Sequence, residues 1–183
     1  MRKCITTIVL SIITISVFAQ WETYPKAGDY IQDPALNKFV GKWQGVRNDT
    51  TFTVIFKIRK KIAAKAGYHY DAIIGWHEVK VNGIIIESSL NRVGDLSLGS
   101  RTCGVGICSK DDFTTNFRFK DITRNKSDQA SFIIDSSNVN KAAWFIRNTD
   151  TISKAMANIG PDGIGRYDTS WTVPTDLIMY KIE

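Results

Sequence analysis

The chain has 183 residues, of which 43% are apolar and 23% charged, with a formal net charge of +6. That length leaves room for one domain around one core. The lysines and arginines are scattered and no nucleic-acid-binding motif accompanies them, which argues against a nucleic-acid partner. The one dense basic group, Lys57, Arg59, Lys60, Lys61 and Lys65, reads as a solvated strand end.

The first element is a leader. Arg2 and Lys3 precede an apolar run from Ile5 to Phe18, and Val17-Phe18-Ala19 offers a small-residue exit. This is the pattern of a secretory signal peptide over residues 1–19. The run is shorter than the roughly 18 residues a spanning helix needs, and no later stretch approaches that length, so no transmembrane segment is expected after cleavage. Cys4 precedes the run, whereas a lipid-anchored cysteine would follow it. The expectation is an exported protein of the periplasm, outer surface or medium.

Residues 20–38, with Pro25 and Pro34 and no sustained period, read as an irregular arm. From residue 39 to 183 strand signals dominate. Phe39 to Arg47 carries Gly41, Trp43 and Gly45 on one parity, a small-large-small row suited to a curved interior with Trp43 as a core plug. Phe52, Val54, Phe56 and Ile58 alternate with polar or outward residues in the next strand. Tyr68–Val81 and Ile84–Ser88 flank Asn82-Gly83, a strong hairpin signal because both residues tolerate positive φ. Further strands are expected near 113–122, 130–137, 142–148 and 176–183, with weaker alternation at Val93–Leu98. Ile152–Gly160 allows one short helix, and Gly160–Trp171 reads as a long connection. The fold class is all-β, a single antiparallel barrel of about eight to ten strands, with a β-sandwich as the alternative.

Chemistry is sparse. His69 and His77 are the only histidines, and no nucleophile elbow is present. His69, Asp71 and His77 share a parity on one strand, but eight residues of extended chain span roughly 27 Å, too far for one metal ion. No local pattern selects a catalytic pair from Glu78, Glu87, Asp111, Asp112, Asp121 and Asp135. No catalytic residue, cofactor or metal site is therefore assigned. Cys103 and Cys108, in TCGVGICS, suggest a local disulfide across a glycine-containing turn if the chain is exported, with two reduced thiols as the alternative. Trp76, Tyr70 and Trp144 are the candidate lining of a ligand cavity, although filled cores use the same residues.

The Gly-x-Trp step at Gly41, Lys42 and Trp43 resembles the first-strand signature of the lipocalin and wider calycin group. That resemblance implies a small eight-stranded barrel binding apolar molecules, with a basic side chain of a late strand over the tryptophan; Arg147 is the candidate. Beyond the leader, the order of DPALNKFVGKWQG, TFTVIFKI, YHYDAIIGWHEV, NGIIIESS and VPTDLIMYKIE is similar to a family of short exported proteins of flavobacteria and relatives, of unknown function. Lys42 stands where that family usually has threonine. The resemblance implies a bacterial exported protein and brings no activity with it.

The expectation is thus a non-enzymatic binder of a small apolar or amphipathic ligand. The alternative is an envelope structural or protein-interaction module acting on an envelope protein.

Overall fold

The computed structural model describes residues 24–97, 100–109, 111–147 and 170–183. The expected leader, the short helix at Ile152–Gly160 and most of the Gly160–Trp171 connection lie outside them. The strands are β1 (Tyr30–Ile31), β2 (Gly41–Arg47), β3 (Thr50–Ala63), β4 (His69–Val81), β5 (Ile84–Ser88), β6 (Cys103–Cys108), β7 (Thr114–Asp121), β8 (Lys126–Asp135), β9 (Asn138–Ile146) and β10 (Asp176–Lys181).

Eight of them close a barrel. The antiparallel ladder runs β4-β3-β2-β10-β9-β8-β7-β6, and β6 pairs back onto β4. Closure removes the sandwich alternative and leaves the ring without an edge. The free side of β4 is long enough to serve three partners in succession: β1 in parallel at His69–Tyr70, β6 at Ile73–Gly75 and β5 at Glu78–Val81. Asn82 and Gly83, at φ 51° and 78°, make the expected two-residue turn between β4 and β5.

Two segments differ from the sequence reading, and the weaker strand signal at Val93–Leu98 yields turn and coil over its described part, residues 93–97. The arm holds β1 and a 3-10 turn at Pro34–Lys38, with the Asp33 carboxylate accepting the Ala35 N–H at 3.0 Å. Asp33 as N-cap and Pro34 in the first turn are a helix-start signal, outweighed in the sequence by the lack of a longer period. The cysteine segment, read as a turn, is strand β6.

Connectivity defines two ends. One holds the 3-10 turn and the β6–β7 and β8–β9 connections; the other holds the β2–β3, β4–β5 and β7–β8 turns and residues 171–175. Between them the interior is packed with aromatic rings. Phe132 lies 4.9 Å from Trp43 and 5.1 Å from Phe56, and Trp144 lies 4.8 Å from Phe52 and 5.2 Å from Phe119. Phe56 pairs with Gly41 on one side and Gly75 on the other. A methyl at Gly75 would sit 2.7 Å from the Phe56 ring, so the glycine vacates the space the ring takes. Gly45, opposite Phe52, likewise lets the β10 backbone approach, since a Cβ there would meet the Ile178 carbonyl at 2.5 Å.

Candidate functional site

The three aromatic residues expected to line one cavity go to three different places. Trp144 is in the central core and donates its indole N–H to the Pro174 carbonyl at 2.9 Å. Trp76 has the parity opposite to His77 and lies outside that core cluster, yet it is fully buried. The 3-10 turn at Leu90–Arg92 packs against β4, and Arg59 of β3 reaches over to the Leu96 carbonyl at 2.8 Å, so this connection crosses the outer wall. Tyr70 alone faces an open site.

That site is a groove of about 530 Å³ on the barrel rim, lined by Ile31, Ala63, Tyr68, Tyr70 and Ile107, with Asp33, Lys65 and Asp71 as polar members. It exists because the β3–β4 hairpin outruns its neighbours and β1 docks beside its tip. A register shift between Arg59 and Ile62 kinks β3, and Lys61 there takes φ 54°. Asp71 holds the kink together, accepting the Lys61 N–H at 3.1 Å and the Tyr30 hydroxyl at 2.7 Å. The hydrogen bond to Asp71, with burial and the carboxylate charge behind it, raises the Tyr30 phenol above its ordinary value. The volume and the mix of apolar walls with a few polar groups suit a small molecule.

A second cluster of chemistry-bearing residues is not legible in the sequence, because a bulged hairpin sets His77 against Glu87 and Ser89 and the following connection brings Thr102 to them. His77 Nε2 bonds Glu87 Oε1 at 2.5 Å, and Nδ1 bonds Thr102 Oγ1 at 2.7 Å. Ser89 Oγ lies 3.2 Å from the same threonine and accepts the His77 N–H at 2.9 Å. Glu87 also accepts the backbone N–H groups of Ile122 at 2.9 Å and Thr123 at 2.8 Å. Burial pushes the Glu87 carboxyl up, but the hydrogen bonds from His77, Thr123 and Ile122 outweigh it and hold the group at about 2. Hydroxyl, imidazole and carboxylate in line is the composition of a nucleophilic relay. Here, however, His77 is 0% exposed, Ser89 1% and Thr102 5%, and the imidazole is flanked by Phe52 and Phe119. Both hydroxyls are closed off from solvent. The cluster instead ties β4, β5, Thr102 and the β7–β8 turn into one end of the barrel.

The remaining candidates sort by position. His69 opens β4 and lies at the other end of that strand from His77. Among the candidate carboxylates, Glu87 and Asp121 meet at the β7–β8 turn, where Asp121 accepts the N–H of Arg124 at 2.8 Å and of Thr172 at 2.7 Å. Among the described residues no group of three or more His, Cys, Asp and Glu side chains is placed to hold a metal ion, and no helix is long and apolar enough to cross a membrane. Cys103 and Cys108 are both free thiols, which corrects the expected disulfide. They sit at opposite ends of one extended strand, on the order of 16 Å apart, where a bridge needs Cα atoms within about 7 Å. Burial raises both thiols, Cys103 far and Cys108 to about 11. The cation over Trp43 is Lys181, its Nζ 5.4 Å from the ring centroid, and not Arg147, which is exposed. Lys181 is on the strand that pairs with Trp43, whereas Arg147 follows β9 at the far end.

With this geometry in hand, comparison with known families gives one result: a family of unknown function, DUF6705, matches residues 1–182. The chain belongs to that family. No curated protein and no solved structure matches it.

Proposed function

We propose that the protein is an exported, non-enzymatic binding protein that takes a small amphipathic ligand in the rim groove of Tyr68 and Tyr70, not inside the barrel. The groove carries this reading: about 530 Å³, with Ile31, Ala63, Ala64 and Ile107 for an apolar body, and Asp33 and Lys65 for a polar end. The aromatic packing along the axis argues against an interior site, since Trp43, Phe56, Phe132 and Trp144 fill the place a ligand would take. The burial of His77, Ser89 and Thr102 supports binding over catalysis.

The test is titration with 1-anilinonaphthalene-8-sulfonate, together with native mass spectrometry of the purified protein for small molecules carried through. The expected result is saturable one-to-one binding, weakened at least tenfold by Tyr68→Ala or Tyr70→Ala and unchanged by Trp144→Phe. Binding indifferent to both tyrosines, or none at all with an empty mass spectrum, overturns the reading. Export rests on the pattern of residues 1–19; N-terminal sequencing of the protein recovered outside the cytoplasm should start near Gln20.

A second reading, a protein-interaction module, has one specific observation behind it. Ile178 of β10 and Ile133 of β8 are directly opposite Ala143 of β9, and with exposed Phe145 and Tyr180 they form an apolar face on the outer wall. Capture of a defined envelope partner by the wild type, lost in Ile178→Lys, would favour it.

A further inference from the structure

β5 is fastened from within and open from without. Its Glu87 points inward to His77 and to the β7–β8 turn, and Ser89 just beyond it donates its N–H to the His77 carbonyl at 2.8 Å. Outward, Ile84 is 68% exposed, Ile85 55% and Ile86 48%. Three consecutive isoleucines are exposed because the register shifts between Val79 and Lys80, which leaves Ile86 as an extra residue and breaks the in-out alternation. Among the described residues the β5 strand has its backbone partners in β4, and its second edge presents N–H and C=O groups with no partner among them. Of the devices that blunt such an edge, β5 has a bulge against β4 and the inward Glu87, but no outward lysine and no proline, so its exposed side chains leave the edge accessible.

We propose that β5 is a docking strand for a second copy of this chain, pairing antiparallel with its own counterpart across a two-fold axis. An open edge of this kind is filled by an extended strand, because only that satisfies a row of ladder groups. Charge permits the same chain. In a protein of net charge +6, two copies meet with least repulsion through a neutral strip. The exposed side chains of β5 are uncharged, and the neighbouring Lys80 is paired with Glu78 at 3.0 Å. Antiparallel pairing about a two-fold is self-complementary and closes at two, joining β4 and β5 of each copy into one continuous sheet. The apolar face on β8, β9 and β10 lacks this property, since its ladder is complete on both sides. A five-residue strand buries little area, so the dimer belongs to the weak, small-interface class.

Sedimentation velocity across a concentration series of the purified protein tests this. The wild type should pass from monomer to dimer with rising concentration. Ile85→Lys should weaken the dimer at least tenfold while keeping the wild-type circular dichroism and melting behaviour, and Ile178→Lys should leave it unchanged. Hydrogen exchange supplies a second readout: β5 amides should gain protection with concentration in the wild type and not in Ile85→Lys. A wild type monomeric at every concentration overturns the proposal. So does a dimer that survives Ile85→Lys or fails with Ile178→Lys.

Discussion

At the end beside the 3-10 turn, the barrel is stopped by Leu36, Phe39 and Trp43, all fully buried; the indole N–H of Trp43 is met locally by the Phe39 carbonyl at 2.9 Å. At the other end the stopper is polar: His77, Glu87, Asp121, Ser89 and Thr102, each 5% exposed or less. The first end works through area removed from water and asks only that shapes fit. The second satisfies backbone groups that no ladder reaches, since Glu87 and Asp121 between them accept four N–H groups, from Ile122, Thr123, Arg124 and Thr172. A barrel whose strands differ in length leaves backbone donors at its uneven end, and carboxylates meet them where side-chain packing cannot. The two closures should therefore fail under different stresses.

Trp43→Ala has the largest expected effect, about 3–5 kcal/mol of unfolding free energy at every pH, because it removes a fully buried ring that touches Phe132 and leaves a cavity. Denaturant unfolding measures it, and a loss under about 1 kcal/mol would show that the apolar end does not carry the barrel. Glu87→Gln should cost less at neutral pH, about 2–3 kcal/mol, since an amide keeps one acceptor but loses the charge-assisted bond to His77. Its signature is pH dependence. The folded Glu87 carboxyl sits at about 2, below its ordinary 4.5, so its stabilisation is complete above 4.5 and disappears as pH falls toward 2. Wild type and Trp43→Ala should show that decline between pH 4.5 and 2, and Glu87→Gln should show less of it. Equal slopes in all three proteins would mean that other carboxylates, such as Asp111, govern acid stability.

The same contrast explains what was legible in the sequence. The apolar interior announces itself through periodicity: Gly41, Trp43 and Gly45 share a parity, and so do Phe52, Val54 and Phe56, whose register against them follows from a short turn. The polar end has no period to read, because His77 and Glu87 meet across a bulged hairpin whose irregular register hides their shared face, and Thr102 and Asp121 join them only through ring closure. β6 went unread for a related reason. Gly104 and Gly106 look like a turn, yet a Cβ at Gly104 would lie 3.0 Å from the Arg118 carbonyl and one at Gly106 2.7 Å from the Thr115 hydroxyl, so these glycines serve close strand approach. The rim groove is half legible: Tyr70 is a sequence candidate, but the β3–β4 hairpin that sets it beside Ile31 and Ile107 carries a kink at Lys61 that the basic run conceals.

The smallest effect sharpens the comparison most finely, because it asks whether the apolar end has any electrostatic component. The Lys181 ammonium lies over the Trp43 ring and reaches toward the Lys38 carbonyl at 3.4 Å. Its stem passes Gly41, where a Cβ would come 2.7 Å from Lys181 Cε, so the absence of a side chain at Gly41 is what lets the cation approach the indole. Lys181→Met keeps most of the stem and removes the charge. A half-exposed cation over a tryptophan contributes about 0.5–1 kcal/mol, and that loss should be the same from pH 7 down to 3. If instead Lys181→Met changes the acid slope, the two ends are coupled through the core, and the separation of an apolar from a polar closure fails.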